Sequence, residues 1–257
     1  MPGAPALIAV AAYGLVLGSF LNVVIHRVPR GLSLVRPRSR CPACGTTIRW
    51  YDNVPVVSYA LLLGRCRTCR APIALRYPLV ELTSAALLVA VAVRFGLTAR
   101  GLAAAIFVLF LLPLAVIDIE HHLLPDVLTL PALVLGLAAS AFGLLASPLD
   151  GVIGAALGAA LPLAVIVVYG WLRGVEGMGL GDVKLLAMIG AFLGWRGALL
   201  TLCLGALAGA SVGVALILTR RGRMDTELPF GTFLAAAAVA VLFVGYDLML
   251  ALGWSGP

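Results

Sequence analysis

Polar positions in this chain are sparse enough to act as punctuation between apolar runs. Most of the runs are roughly 18–23 residues long, the length an α-helix needs to cross a hydrocarbon core of ~30 Å. They do not alternate with period two, as the strands of a closed membrane barrel do. The pattern predicts eight helical spans, at 4–26, 78–95, 101–118, 127–146, 151–172, 184–195, 197–219 and 229–252. The sixth is short and interrupted by glycine. The expected fold class is therefore an all-α polytopic membrane protein. Arg27, the first basic residue, follows the first apolar run instead of preceding it, so residues 1–26 read as a retained helix and not as a cleaved signal.

Composition sharpens this picture. Of 257 residues, 62% are hydrophobic and 11% are charged, against about 25% charged in an ordinary soluble domain. The net charge of +7 raises the question of nucleic acid, but its distribution answers it. With the N-terminus outside and eight spans, the loops 27–77, 118–126, 173–184 and 220–228 lie inside. They hold 15 of the 18 basic residues, and only Arg94, Arg100 and Arg196 fall outside. This is the asymmetry of the positive-inside rule, so charge supports the topology and gives no reason to expect nucleic-acid binding.

One extramembrane segment, 27–77, is long enough to fold as a module between the first helix (1–26) and a membrane domain (78–257). It contains CPAC at 41–44 and CRTC at 66–69, with 21 residues between the pairs. Two C-x-x-C turns at such a spacing point to a tetrahedral zinc site built from Cys41, Cys44, Cys66 and Cys69. A segment so poor in large apolar residues gains folding energy from a metal. Two disulfides or four idle thiols are the competing readings, and a reducing cytosol opposes the disulfides. The fifth cysteine, Cys203, lies in the seventh span and is expected to pack as a small buried hydrophobe.

Acidic residues meet the membrane at two places. The third span runs into DIEHHLLPD, with Asp118, Glu120, His121, His122 and Asp126. The sixth opens with GMGLGDVK, residues 177–184, which sets Asp182 among three glycines. On the topology above, Asp118 and Asp182 emerge on one side, each at the end of a helix. Two close carboxyls can share a proton, one drawing a proton from water while the other donates to a carbonyl oxygen. Plainer roles stand beside this. Asp182 suits the cap of span six, Asp118 suits a solvated helix end, and Asp126 after Pro125 suits the N-cap of span four. The two histidines read as solvated loop residues. Glu81 and Asp247, inside spans two and eight, read as structural hydrogen-bonding groups. Around Asp118 and Asp182, the loops 118–126 and 173–184 carry five acids, Glu176 among them, against Arg173 and Lys184. That predicts a negative patch within a positive face. Lys184 has no assigned role.

Taken together, GMGLGDVKLLAMIGAFLGW, DIEHHLLPD, GSFLNVVIHRVPRG at 18–31 and the paired C-x-x-C turns resemble the type IV prepilin peptidases, a family of G-x-G-D membrane aspartic proteases. The resemblance covers most of the chain and keeps the order of the motifs. It implies an endopeptidase that removes the short basic leader from type IV prepilins or type II secretion pseudopilins at the cytoplasmic face of the bacterial inner membrane. It implies Asp118 and Asp182 as the catalytic pair and the four cysteines as structural zinc ligands. It also implies N-methylation of the new N-terminus from S-adenosylmethionine, whose binding residues no motif in this chain identifies. The rival readings are an ion- or proton-coupled transporter with a zinc-stabilised cytoplasmic domain, and a structural scaffold of a secretion complex. No internal inverted repeat supports the transporter.

Overall fold

The computed structural model describes residues 2–173, 179–219 and 228–251. They form eight α-helices and short 3-10 turns: α1 (Ala4–Arg27), α2 (Val57–Leu61), α3 (Arg76–Phe95), α4 (Ala99–His121), α5 (Asp126–Ala141), α6 (Pro148–Arg173), α7 (Leu180–Leu218) and α8 (Phe230–Ala251). The described residues contain no strands, only two isolated bridges, Arg40–Thr47 and Arg65–Pro72. Five helical segments are long and apolar enough to cross a membrane, while Asp126–Ala141 and Phe230–Gly245 are shorter apolar stretches. Eight crossings are therefore not matched by eight helices of spanning length.

The sixth and seventh spans appear as α7, a single helical run with one break at Gly194 (φ 73°, ψ 176°). A positive φ of this kind suits glycine, which has no Cβ to clash. The break reverses the chain. A straight helix from residue 181 to 213 would measure about 48 Å. Yet Gly181 packs on Leu124, Leu124 packs on Gly231, and Gly213 faces Leu228. Both ends of α7 thus lie near the start of α8, which requires a fold back near Gly194.

The chain divides into two compact units, Met1–Gly101 and Leu102–Pro257. In the first, α1 packs on α3 through Gly14 and Gly18. A Cβ on either glycine would fall 2.6 Å from a backbone Cα of α3, at Ala85 and Glu81 respectively. This small-x-x-x-small pattern lets membrane helices approach backbone to backbone. Asn22, buried in the same seam, donates to the Tyr77 carbonyl at 3.0 Å.

In the second unit, α6 and α7 meet at Gly154 and Gly190, where a Cβ on either would come within 2.3 Å of the other's carbonyl oxygen. Phe107 of α4 and Phe192 of α7 stack with centroids 4.8 Å apart and are fully buried. These contacts hold the N-terminal part of α7 in the interior, where Leu185, Leu186, Met188 and Ile189 are completely shielded.

Candidate active site and metal centre

Asp118 sits in the last turn of α4 and is 5% exposed, so it is not the solvated helix end that its position allowed. Its Oδ2 accepts the Thr232 N–H at 2.7 Å and lies 3.0 Å from the Thr232 hydroxyl. The same hydroxyl lies 3.0 Å from the Ala115 carbonyl, so its one hydrogen is shared between two acceptors. Thr232 is the third residue of α8, and the first N–H groups of a helix have no partner within it. Asp118 therefore supplies from α4 the anion that α8 would otherwise take from its own cap. Gly231 makes this approach possible, because a Cβ there would stand 3.1 Å from Asp118 Oδ2 and 2.9 Å from Leu124 Cδ1.

Asp182 is the third residue of α7 and is 8% exposed. The N-cap position belongs to Gly179, in extended conformation, which corrects the reading of Asp182 as a cap. Its carboxylate instead takes the Gly179 N–H, the reach-back half of a capping box. Helix packing brings Asp118 and Asp182, 64 residues apart in sequence, to one cluster built around Gly181, Leu124 and Gly231. Leu124, itself buried, wedges between the glycine that precedes Asp182 and the glycine that touches Asp118.

Asp126 is the first residue of α5, with Pro125 at the cap position and no side-chain cap bond. It is not the N-cap expected from sequence, because its carboxylate binds the Lys184 ammonium instead. That ion pair ties the segment after Asp118 to the segment after Asp182 and gives Lys184 a partner. Exposed pairs of this kind contribute ~0.2–1 kcal/mol. His122 is exposed, as expected, with its N–H on the Asp118 carbonyl at 2.9 Å. His121 is half-buried, with Nε2 3.9 Å from Glu120 Oε2. Neither belongs to a metal-ligand cluster among the described residues. Glu176 and the Arg173 side chain lie outside the described residues, so the negative patch is described only in part. Glu81 behaves as expected, accepting the Val56 N–H at 2.8 Å. Asp247 is exposed. Cys203 differs from expectation in being exposed; on a lipid-facing helix surface, a thiol need not be buried by protein.

The four cysteines of the first unit form the second centre. Their Sγ atoms all lie within 4.8 Å of one another, and Cys41 and Cys69 are 3.8 Å apart. Tetrahedral ligation at ~2.3 Å from sulfur to zinc sets sulfur–sulfur edges of about 3.8 Å. The donor set and its spacing therefore fit one metal ion. All four are free thiols, not disulfides.

The two turns are built alike. In the first, Cys41 N–H bonds Thr46 O, Gly45 N–H bonds Cys41 O and Ile48 N–H bonds Ser39 O. Shifted by 25 residues, Cys66 bonds Ala71, Arg70 bonds Cys66 and Ile73 bonds Gly64. The Thr46 hydroxyl and N–H hold the Cys44 thiol down to about 6. The N–H groups of Cys69 and Thr68 likewise lower Cys66. Thiolates are what a metal binds. Gly45 occupies the left-handed region at φ 71°, and Arg70 occupies the matching position at φ 60°.

Residues 12–95 match the family model for the bacterial peptidase A24 N-terminal domain, and residues 105–214 match that of the type IV leader peptidase family. A relative from Burkholderia pseudomallei, named prepilin leader peptidase/N-methyltransferase, is 44% identical over 93% of this chain and 86% of its own. One of the same name from Pseudomonas aeruginosa is 44% identical over 90% and 88%. The chain belongs to the type IV leader peptidase family. No solved structure matches it. Membership agrees with the resemblance carried by the four motifs, and neither the fold nor the relatives favour a transporter. This type IV leader peptidase family member also carries site residues that its motifs did not announce. Thr232, Gly231 and Leu124 shape the surroundings of the aspartates, and Lys184 ties their two segments. Leu124 and Lys184 lie inside DIEHHLLPD and GMGLGDVK without a role being legible there, and the trace of Gly231 and Thr232 was LPFGTF at 228–233, where proline and glycine open an apolar run as at any helix start.

Proposed function

We propose that this protein is a membrane aspartic endopeptidase that removes the basic leader from type IV prepilins or type II secretion pseudopilins and methylates the exposed N-terminus. The observation that carries this reading is the meeting of Asp118 and Asp182, both buried and each at the end of its helix. Asp118 and Asp182 share one proton, as like charges at short range require. The ionised member takes a proton from the attacking water, and the neutral member donates to the scissile carbonyl oxygen. Thr232 occupies Asp118 Oδ2 and so aims the other oxygen at this exchange. Gly181 and Gly231, with no side chains, let Leu124 and Asp118 pack closely and so hold the carboxyls in place.

Cys41, Cys44, Cys66 and Cys69 hold a structural zinc ion, which supplies folding energy to a segment with little core. The active site faces the cytoplasm, on the strength of the basic inner loops. Methyl transfer follows the names of the relatives. When bound, S-adenosylmethionine supplies an electrophilic methyl group to the new terminal amine. No residue is assigned to the donor. A cavity of about 440 Å³ in the first unit is lined by Pro2, Ala6, Val93, Arg94, Gly96 and Leu97. It lies at the end of α1 and α3 remote from the cysteines, with one charged side chain, and this lining does not fit a nucleoside with an amino-acid tail.

The experiment is direct. Purified full-length protein in nanodiscs is incubated with a prepilin, and the shortened product is sought by mass spectrometry. Well-folded protein that cuts none of several prepilins would overturn the proposal.

A further inference from the structure

Helix α2 of the cysteine module is built inside out. Ser58 is buried and donates to the Val54 carbonyl, and Tyr59 is half-buried. Val57 and Leu61 of this helix are nonetheless exposed, as are the flanking Val54 and Leu63. Leu61 is 78% exposed and Leu63 83%. A solvated module would bury these apolar side chains.

Two further observations say what covers the apolar face. The first is depth. Val56, at the cap position of α2, donates its N–H to Glu81 at 2.8 Å. Glu81 lies five residues past Arg76, the start of the membrane-spanning α3, which is about 7.5 Å down the helix axis. Interfacial amphipathic helices bury their apolar face ~5–10 Å into the boundary between headgroups and acyl chains. The anchor is specific, because Val56 sits at φ 60° in a tight turn closed by the bond from Val57 N–H to Pro55 O. The second observation is charge. Segment 27–77 contains ten arginines and a single acid, Asp52, and Asp52 is taken by Arg67 at 2.7 Å. The module is joined at both ends to helices long enough to span a bilayer, and it carries a large positive excess beside that bilayer.

We propose that α2 and the following Leu63 form an interfacial anchor that lays the cysteine module on an anionic lipid surface, with Glu81 as the strut that sets its depth. Val57, Leu61 and Leu63 enter the acyl boundary while the arginines of the module meet lipid phosphates. This surface is independent of the aspartates and of the peptidase reading.

The test uses the full chain in nanodiscs, with the photoreactive residue p-benzoylphenylalanine in place of Leu61. Phosphatidylglycerol discs should give lipid adducts at this position. Hydrogen exchange of residues 54–64 should be at least about fivefold slower there than in phosphatidylcholine discs, the factor for one arginine engaged at an anionic surface. Leu61→Glu with Leu63→Glu should raise exchange in this segment to its detergent value while zinc content is unchanged. If that variant loses zinc, the apolar photoprobe at the same site still reads the contact. Adducts only to protein, whether this chain or an added prepilin, would overturn the proposal, as would exchange that does not respond to lipid charge.

Discussion

The two units carry their chemistry in opposite ways. In the first, four cysteines within 29 residues close on one another through short turns, and nearly every bond that shapes the site is local. In the second, Asp118 and Asp182 meet only because α4, α7 and α8 pack, and the donor that orients Asp118 lies 114 residues away. A locally built site can be damaged one ligand at a time and still leave the rest of its unit folded. A site built by packing depends on each of the helices that deliver it. The comparison predicts which substitutions act on chemistry, which on metal and which on geometry alone.

The largest effect is expected from Asp118→Asn or Asp182→Asn. Each should lower prepilin cleavage at least about a thousandfold, the scale for removing one member of a cooperating catalytic set, with membrane insertion and zinc content preserved. Near-normal turnover in either variant would show that the two carboxyls do not act together. Next come Cys→Ser changes at positions 41, 44, 66 or 69. Each should release the metal, as read by elemental analysis, and speed hydrogen exchange across 27–77. Methylation should fall further than cleavage. Equal loss of both would show that the local site also supports the packed one.

Thr232→Val is the sharper test of long-range positioning. It keeps the N–H and removes the hydroxyl from Asp118, and a bond to a charged group is worth ~1.5–3 kcal/mol. The cleavage kcat should drop roughly tenfold or more, KM should hardly move, and Thr232→Ser should restore the rate. An unchanged kcat in Thr232→Val would mean that Asp118 is held by packing alone. Asp126→Asn and Lys184→Met should each be mild, with a coupling of ~0.2–1 kcal/mol in a double-mutant cycle on stability. A loss in Asp126→Asn as deep as in Asp118→Asn would transfer the catalytic role to Asp126. The smallest effect is a gain. Arg70→Gly relieves a left-handed backbone strained by about 1 kcal/mol, so the second cysteine turn should become more resistant to chelators. A destabilised variant would show that the Arg70 side chain contributes more than its backbone costs.

Much of this could be read from sequence, and the boundary follows the same local and non-local division. The apolar runs announce helices because spanning length is set by bilayer thickness. The C-x-x-C pairs announce a cluster because each turn holds two ligands within four residues. Asp118 and Asp182 could be named as candidates by chain pattern and resemblance, but their neighbours could not. Leu124, Thr232 and Lys184 look ordinary in sequence, and only packing gives them partners. The cap reading of Asp126 failed because Lys184, 58 residues on, competes for its carboxylate. The burial expected for Cys203 failed because a spanning helix has a lipid face, which periodicity alone does not locate. The α2 face escaped notice because five residues are too few for a periodic signal.

The turn at Gly194 leaves residues 180–193 as a helical segment of about 21 Å, with Asp182 at its start. This falls short of an unperturbed hydrocarbon core by roughly 9 Å. Leu185, Leu186, Met188 and Ile189 are shielded by other helices, so this shortfall falls inside the protein, and lipid does not have to deform to meet it.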